Sequence, residues 1–204
     1  MQLDLPGADV RWLPGWLAPA DAAALFAQLL EAVSWEVHRI RLFGRLVDSP
    51  RLSCWIGDPE ASYRYSGTRF APHPWPPALR PLRARLAAET GVAFNSVLAN
   101  RYRDGRDAMG WHSDDEKELG PRPLIASLSL GATRRFVLRH CTEPALRQAL
   151  ELTPGGLLLM GGDTQRLYRH ALPRTVRPVG ERINLTFRRI AAIRSAFDLN
   201  LSKR

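Results

Sequence analysis

The chain has 204 residues, 45% of them hydrophobic and 24% charged, which is the balance of a soluble domain able to bury a sizeable core. No apolar run is long enough to span a bilayer, no basic start followed by an apolar stretch marks a secretory signal, and Cys54 and Cys141 stand too far apart for a disulfide framework or a zinc site, so a single domain in a reducing, cytoplasmic setting (nuclear in a eukaryote), without a membrane partner, is expected. The formal net charge of +9 favours a polyanionic partner. The charge is unevenly placed: residues 1–36 carry −4, residues 37–85 carry +6 and the remainder +7. Arginine supplies 27 of the 29 basic residues, and a GC-rich coding sequence would produce the same bias without any function. The basic stretch 37–85 is harder to dismiss, because arginine pairs bidentately with phosphate and stacks on bases.

Taken in chain order, "LAPADAAALFAQLLEAVSW" (17–35) predicts a helix, with Asp21 able to cap its start, Leu25, Leu29 and Val33 on one stripe and Trp35 at its end. Residues 36–75 alternate short β-like pieces with turn residues. "VHRIRLFGRLVDSPR" predicts a hairpin with Gly44 near its tip, and "SYRYSGTRF" a second strand and turn. "PPALRPLRARLAAETG" (76–91) predicts a second helix, with Pro81 in an early turn and Gly91 as its stop. From residue 92 the short β-rich runs "FNSVLANRYRDG", "PLIASLSLGATRRFVLRH", "GGLLLMGG" and "RINLTFRRI" follow one another, the spacing of a sandwich or barrel. "LIASLSLGATRRFVLR" reads as a hairpin turning at Gly131–Ala132, and "TEPALRQALEL" (142–152) as a short helix or an irregular connection. The expected architecture is α+β and mainly β, one domain over 1–204, with helices and a basic β lid over 1–91 and a β core over 92–195.

The chemistry starts from "GWHSDDEKE" (110–118), where His112 and Asp114 form an H-x-D triplet, and the chain has only five histidines. Such a triplet arises often by chance. His170 follows in "LYRHALP", and then comes "RINLTFR" (182–188). Alternate residues of a strand share a face, so Arg182, Asn184, Thr186 and Arg188 project one way and Ile183, Leu185 and Phe187 the other. The apolar set belongs in a core. Two arginines on the same face repel unless an anion lies between them, and a dicarboxylate would suit that place. Asn100 and Tyr102 in "NRYRDG" repeat the logic upstream. Two histidines and a carboxylate are the facial triad of non-haem Fe(II) oxygenases, which leaves metal positions open for a 2-oxo acid and dioxygen. An arginine pair would hold the distal carboxylate of that co-substrate and fix its orientation.

On these motifs, "WHSDDE", "IASLSLGA", "YRHALP" and "RINLTFR", the chain from about residue 37 to 190 resembles the AlkB family of Fe(II)- and 2-oxoglutarate-dependent dioxygenases, oxidative demethylases of nucleic acids. "LFGR", "YRYSG" and "PHPWPP" are most similar to the branch that includes duplex-DNA repair homologues. The resemblance implies a double-stranded β-helix (jelly-roll) core beneath a nucleotide-recognition lid. It implies that His112, Asp114 and His170 hold Fe(II), and that Asn100, Tyr102, Arg182, Asn184, Thr186 and Arg188 line the 2-oxoglutarate site, with O2 as the second co-substrate. Tyr63, Tyr65 and Ser66 match the base-pocket segment, with Tyr65 stacking a flipped base against the first iron-ligand histidine. Glu116 matches an acid that contacts the exocyclic amine of the base, Phe43 a hairpin aromatic that fills the gap left in a duplex, and Arg51 with its basic neighbours a phosphate grip.

The implied activity is hydroxylation of the N-methyl group of N1-methyladenine or N3-methylcytosine in alkylated DNA, with loss of formaldehyde, by a monomer. A damaged base pairs poorly and is cheaper to flip out, and a cationic lesion is favoured by a pocket acid and aromatic faces. Other classes are an oxygenase acting on RNA, a protein or a small molecule, a non-catalytic module for damaged DNA, and a zinc hydrolase. The last leaves Tyr102 and the two strand arginines without a role, and pure binding requires no triad. His38, His73 and His140 are expected as surface histidines, Cys54 and Cys141 as inert thiols, Trp12, Trp16 and Trp35 as packing for the first helix, and Trp75 as a structural residue in a proline-rich turn.

Overall fold

The computed structural model describes residues 1–42, 45–61, 63–65 and 68–191, with the side chains of 40–46 and 62–70 outside that description. The chain opens with strand β1 (Ala8–Leu13) and helix α1 (Pro19–Ala32), followed by β2 (Arg39–Leu42), β3 (Arg45–Asp48), β4 (Leu52–Gly57), β5 (Tyr63–Tyr65) and β6 (Thr68–Phe70). Helix α2 (Leu79–Thr90) precedes β7 (Ser96–Tyr102), β8 (Met109–His112), β9 (Ile125–Gly131), β10 (Arg134–His140), β11 (Arg147–Leu152) and β12 (Leu157–Gly162). The one-turn helix α3 (Thr164–Leu167), β13 (Tyr168–Leu172) and β14 (Arg182–Arg188) complete it.

Two antiparallel sheets face each other. The larger has six strands in the order β1-β12-β9-β14-β7-β4, the smaller four in the order β11-β10-β13-β8. From β7 onward the chain crosses between them after every strand except β10, whose successor β11 stays in the same sheet, which is the jelly-roll arrangement that the resemblance implied. The larger sheet also takes β1 and β4 from the first 91 residues. β2 pairs with β3 and β5 with β6 as separate pairs, the first with Leu42 opposite Arg45, while Gly44, expected near the tip, lies outside the described residues.

The larger sheet is covered on both faces. Outside it, α1 and α2 press Ala22, Leu25, Leu29, Leu79, Leu82 and Leu86 onto Val97, Ala99, Leu128, Leu130, Ile183, Leu185 and Phe187. Each fully buried Leu or Phe contributes about 1.5–3 kcal/mol. Between the sheets, Trp12, Trp55, Ile125, Phe136, Leu138, Leu158 and Met160 form a second cluster. Strand β14 lies in the middle and is buried along its whole length, so its alternation separates two interiors rather than core from solvent.

Several local expectations give way. "LIASLSLGATRRFVLR" is not a hairpin: β9 pairs with β12 and β14, while β10 pairs with β11 and β13. Gly131 is the corner between the sheets, at φ 76°, where a Cβ would run into the Glu181 carbonyl and the Phe26 ring. Of the stretch 142–152, residues 142–146 are an irregular connection and 147–152 form strand β11, which brings the alternate residues Leu150 and Leu152 into the interior. Helix α1 begins earlier than expected, with Pro19 in its first turn and no side-chain cap, so Asp21 lies inside it rather than capping it, and it ends at Ala32, before Trp35. Helix α2 does stop at Gly91, at φ 72°. No helix among the described residues is long and apolar enough to cross a membrane.

Candidate active site

β8 and β13 are neighbours, and their register sets His112 directly opposite His170, with ring centroids 4.2 Å apart. Asp114 lies two residues beyond the end of β8, 2% exposed, and its backbone N–H donates to Oε1 of Gln165 at 2.9 Å. Ligand atoms of His112, Asp114 and His170 all lie within 4.8 Å of one another, the one such group among the described residues. Nδ1 of His112 is 2.8 Å from the Gly110 carbonyl. A carbonyl only accepts, so this nitrogen carries the proton and Nε2 keeps its lone pair, the usual way in which a second contact orients a ligand imidazole.

The electrostatics suit a cation. Burial alone would push the Asp114 carboxyl up, but the Arg188 guanidinium beside it is the largest opposing influence, and the carboxyl is held below the usual range. Arg188 donates directly to Asp114 Oδ1. Burial, with His112 alongside, pushes His170 down to about 3, so its imidazole is neutral. Its Nδ1 is buried with no partner among the described residues. Two imidazoles and one ionised carboxylate, with three positions left open, form a donor set that fits Fe(II).

The other end of β14 is different. Arg182 faces Tyr102, Asn184 faces Asn100 on one side and Ser129 on the other, and Thr186 faces Ser127. These side chains bond one another: Arg182 donates through Nη2 to Ser129 Oγ (2.9 Å) and Asn184 Oδ1 (2.8 Å), Ser127 Oγ donates to Asn184 Oδ1 (3.0 Å), and Asn184 Nδ2 donates to Thr186 Oγ1 (2.8 Å). Arg182 is 1% exposed, and its Nε and Nη1 have no partner among the described residues. A buried guanidinium edge left this way is costly unless an anion meets it, so the site fits a carboxylate. Burial pushes Arg182 down to about 10.

The two strand arginines therefore do not clamp one carboxylate between them. Six residue steps of strand separate them, roughly 20 Å along the backbone. The anion that offsets Arg188 is Asp114 itself, whereas Arg182 sits at the far end. The triad, Arg182, Asn184, Thr186, Arg188, Asn100, Tyr102 and Ser127, with Leu98, Met109, Phe136, Met160 and Leu172, line one cavity with about 470 Å³ of empty space that opens to solvent.

Arg51 is bonded to Asn100 in the wall of this cavity. Its Nε donates to Asn100 Oδ1 at 2.6 Å and its Nη1 to Ser49 Oγ at 3.1 Å, so in this structure it steadies the polar ladder rather than reaching outward. Glu116 is half-buried just past Asp114, at the start of a short turn of helix. Phe43 and Ser66 lie outside the described residues. Tyr63 and Tyr65 are placed as backbone in β5, with their side chains outside the description. Trp75 is structural, stacked on Phe187 and donating to Asp58, which also receives a bidentate pair of bonds from Arg83.

Two contributors were missed by the sequence reading. Gln165 holds the Asp114 backbone, and Arg134, 3% exposed, donates to the carbonyls of Asp104, Asp107 and Pro173 beside the Tyr102 ring. The signal for Arg134 was its phase: it shares the inward face of β10 with Phe136 and Leu138. Gln165 had no comparable signal, because α3 is a single turn whose direction depends on its neighbours.

Comparison with known proteins agrees with this geometry. Residues 9–188 match the model of the 2OG-Fe(II) oxygenase superfamily. The match starts well before residue 37, and β1 and α1 are part of the larger sheet and its cover in this structure. The human DNA oxidative demethylase ALKBH2 is 40% identical over 181 residues, covering 84% of this chain and 69% of that protein. The human alpha-ketoglutarate-dependent dioxygenase alkB homolog 3 is 39% identical over 186 residues, 87% of this chain and 64% of that one. The solved structure of OsALKBH1 has the same fold, with a TM-score of 0.65 at 16% identity over 92% of this chain and 100% of that one. This chain belongs to the AlkB group of the 2OG-Fe(II) oxygenase superfamily and is an Fe(II)- and 2-oxoglutarate-dependent dioxygenase.

Proposed function

We propose that the protein is an oxidative demethylase of N-alkylated bases in DNA, with N1-methyladenine and N3-methylcytosine as substrates. The observation that carries this reading is the 39–40% identity, over more than four fifths of the chain, to relatives named DNA oxidative demethylases, with the metal triad intact. His112, Asp114 and His170 would hold Fe(II). Arg182 would take the distal carboxylate of 2-oxoglutarate, with Tyr102, Asn100, Asn184 and Thr186 shaping that end. When bound, the metal and co-substrate would supply the oxidant that converts a methyl C–H bond to C–OH, one oxygen atom of dioxygen entering that hydroxyl and the other entering succinate as 2-oxoglutarate loses carbon dioxide. The hydroxymethyl amine left on the base then breaks its C–N bond and releases formaldehyde.

The residues of this chain position and exclude. Arg188 fixes which Asp114 oxygen turns toward the metal position by donating to the other. The Gly110 carbonyl fixes the tautomer of His112. Phe136, 5.3 Å from the His170 ring, and Leu172 keep water from that side of the site. Tyr65, Tyr63 and Ser66 would form the base pocket, Glu116 would favour the cationic lesion, and Phe43 would fill the space left by the flipped nucleotide.

The test is formaldehyde release from an oligonucleotide carrying one N1-methyladenine, in single- and double-stranded form. Release should depend on Fe(II), 2-oxoglutarate and His112. Succinate formation without formaldehyde would keep the oxygenase and discard the substrate. Phe43→Ala should harm duplex repair more than single-strand repair, and an equal loss on both would remove the gap-filling role.

A further inference from the structure

Three arginines stand in one cross-strand row on the outer face of the four-stranded sheet. Arg139 on β10 is directly opposite Arg147 on β11 and directly opposite Arg169 on β13. Each flanks inward-facing residues, Leu138 beside Arg139 and Tyr168 and His170 on either side of Arg169, so the guanidiniums leave the sheet on the side away from the iron site. With strands about 4.8 Å apart, the row places three positive charges within roughly 10 Å. Like charges directly opposite one another destabilise a sheet. No carboxylate among the described residues offsets them here: none of the three makes an ion pair. Arg135, farther along the same face, is opposite Glu151 instead.

The row continues to an aromatic ring. β8 is the edge strand, and its pairing with β13 slips between His112 and Met109, three steps on β8 against two on β13. Met109 and His112 therefore both turn inward, and Trp111 is put outside. Trp111 is 42% exposed, and the guanidinium of Arg139 lies 4.3 Å from its ring centroid. An exposed tryptophan beside an uncompensated arginine row is the arrangement that holds single-stranded nucleic acid, with phosphates on the cations and a base on the ring.

We propose that this outer face, Arg139, Arg147, Arg169 and Trp111, binds the single-stranded DNA flanking the base under repair. The proposal rests on the DNA reading above. Trp111 is the chain neighbour of His112, so a strand leaving the iron site over the β8 edge meets Trp111 first and the arginine row next.

The test uses the full chain and a fluorescein-labelled oligothymidylate, with binding followed by anisotropy over a salt series. The variant carrying Arg139→Gln, Arg147→Gln and Arg169→Gln should flatten the slope of log K against log salt by about 2, from about 0.7 for each phosphate contact on a single strand. Trp111→Ala should weaken binding about fivefold or more. Succinate formation in the absence of DNA should be unchanged in both, which reports an intact core. A control carrying Arg11→Gln, Arg80→Gln and Arg177→Gln removes the same charge from exposed positions elsewhere and should flatten the slope much less. An unchanged slope in the row variant, an equal change in the control, or no binding by the wild-type chain would each overturn the proposal. Failure of formaldehyde release with binding intact would instead overturn the repair chemistry alone.

Discussion

β14 and the outer face of the four-stranded sheet are both built around arginine, yet the two regions use it in opposite ways. Arg182 and Arg188 are buried, at 1% and 7% exposure, and each has a fixed geometry set by neighbours on both sides of the strand. Arg147 and Arg169 are exposed and Arg139 lies under a tryptophan ring, with no carboxylate to hold any of them. A buried guanidinium must be matched donor by donor, because desolvation makes any mismatch expensive. A surface guanidinium is solvated and can wait for a mobile anion. Arginine in the interior therefore encodes a specific ligand shape, whereas arginine outside encodes only a density of charge.

The sharpest way to break the interior half is at Asp114. Asp114→Ala should abolish turnover and Fe(II) binding, and should also lower folding stability by about 3–5 kcal/mol, since Arg188 loses its buried carboxylate. His112→Ala should abolish turnover with a much smaller loss in urea denaturation, because His112 is only partly buried. Equal stability losses would show that the Arg188 pair is not what distinguishes the two sites.

The two ends of β14 should separate next. Arg182→Met should raise the 2-oxoglutarate KM by about 30-fold or more, the equivalent of losing a buried charged hydrogen-bond partner worth about 2 kcal/mol or more, with metal affinity retained. Arg188→Met should do the reverse, weakening metal binding in an anaerobic titration while moving the KM less. The same KM change in both variants would restore the picture of a shared clamp.

A smaller effect belongs to the loop that Arg134 stitches. Burial raises the Asp107 carboxyl, but the bonds donated by the Arg103 side chain and backbone N–H outweigh it and leave it below its usual range. A carboxyl lowered in the folded state adds stability that is fully present above its unfolded pKa of about 3.9 and is lost as pH falls through the folded value. Asp107→Asn should thus cost about 1–3 kcal/mol at pH 7, and the gap from wild type should close below about pH 4 in urea denaturation. A gap that persists in acid would assign the loss to packing. The smallest effect on chemistry is expected from the outer arginine row, whose removal should change the salt dependence of DNA binding and leave succinate formation intact.

The site was legible in sequence to the extent that it depends on strand phase. His112, Asp114, His170 and the alternation of "RINLTFR" identify the triad and the polar face of β14, and the structure brings them to one cavity. What could not be read was partnership. The hairpin expected at Gly131 obeys every local rule, but β9 and β10 separate because each finds a longer run of apolar partners in a different sheet. The bond from Arg51 to Asn100 had no signal in the string, since only the pairing of β4 with β7 places the two close together. β11 was ambiguous as a string, because "RQALEL" carries helix formers, and only the open edge of β10 makes it a strand.

The sequence by itself determined the composition of the metal site, the inward and outward faces of β14 and the stop of α2 at Gly91. These follow from local stereochemistry: a two-residue period in strands and the freedom of glycine at positive φ. Only the tertiary structure decided that Arg188 belongs to Asp114 and Arg182 to the far end, that Arg134 and Gln165 support the site, and that Arg139, Arg147 and Arg169 align in one row. Each of these depends on which strands lie side by side and in what register, and register is set by burial summed over the whole sheet rather than by any one segment.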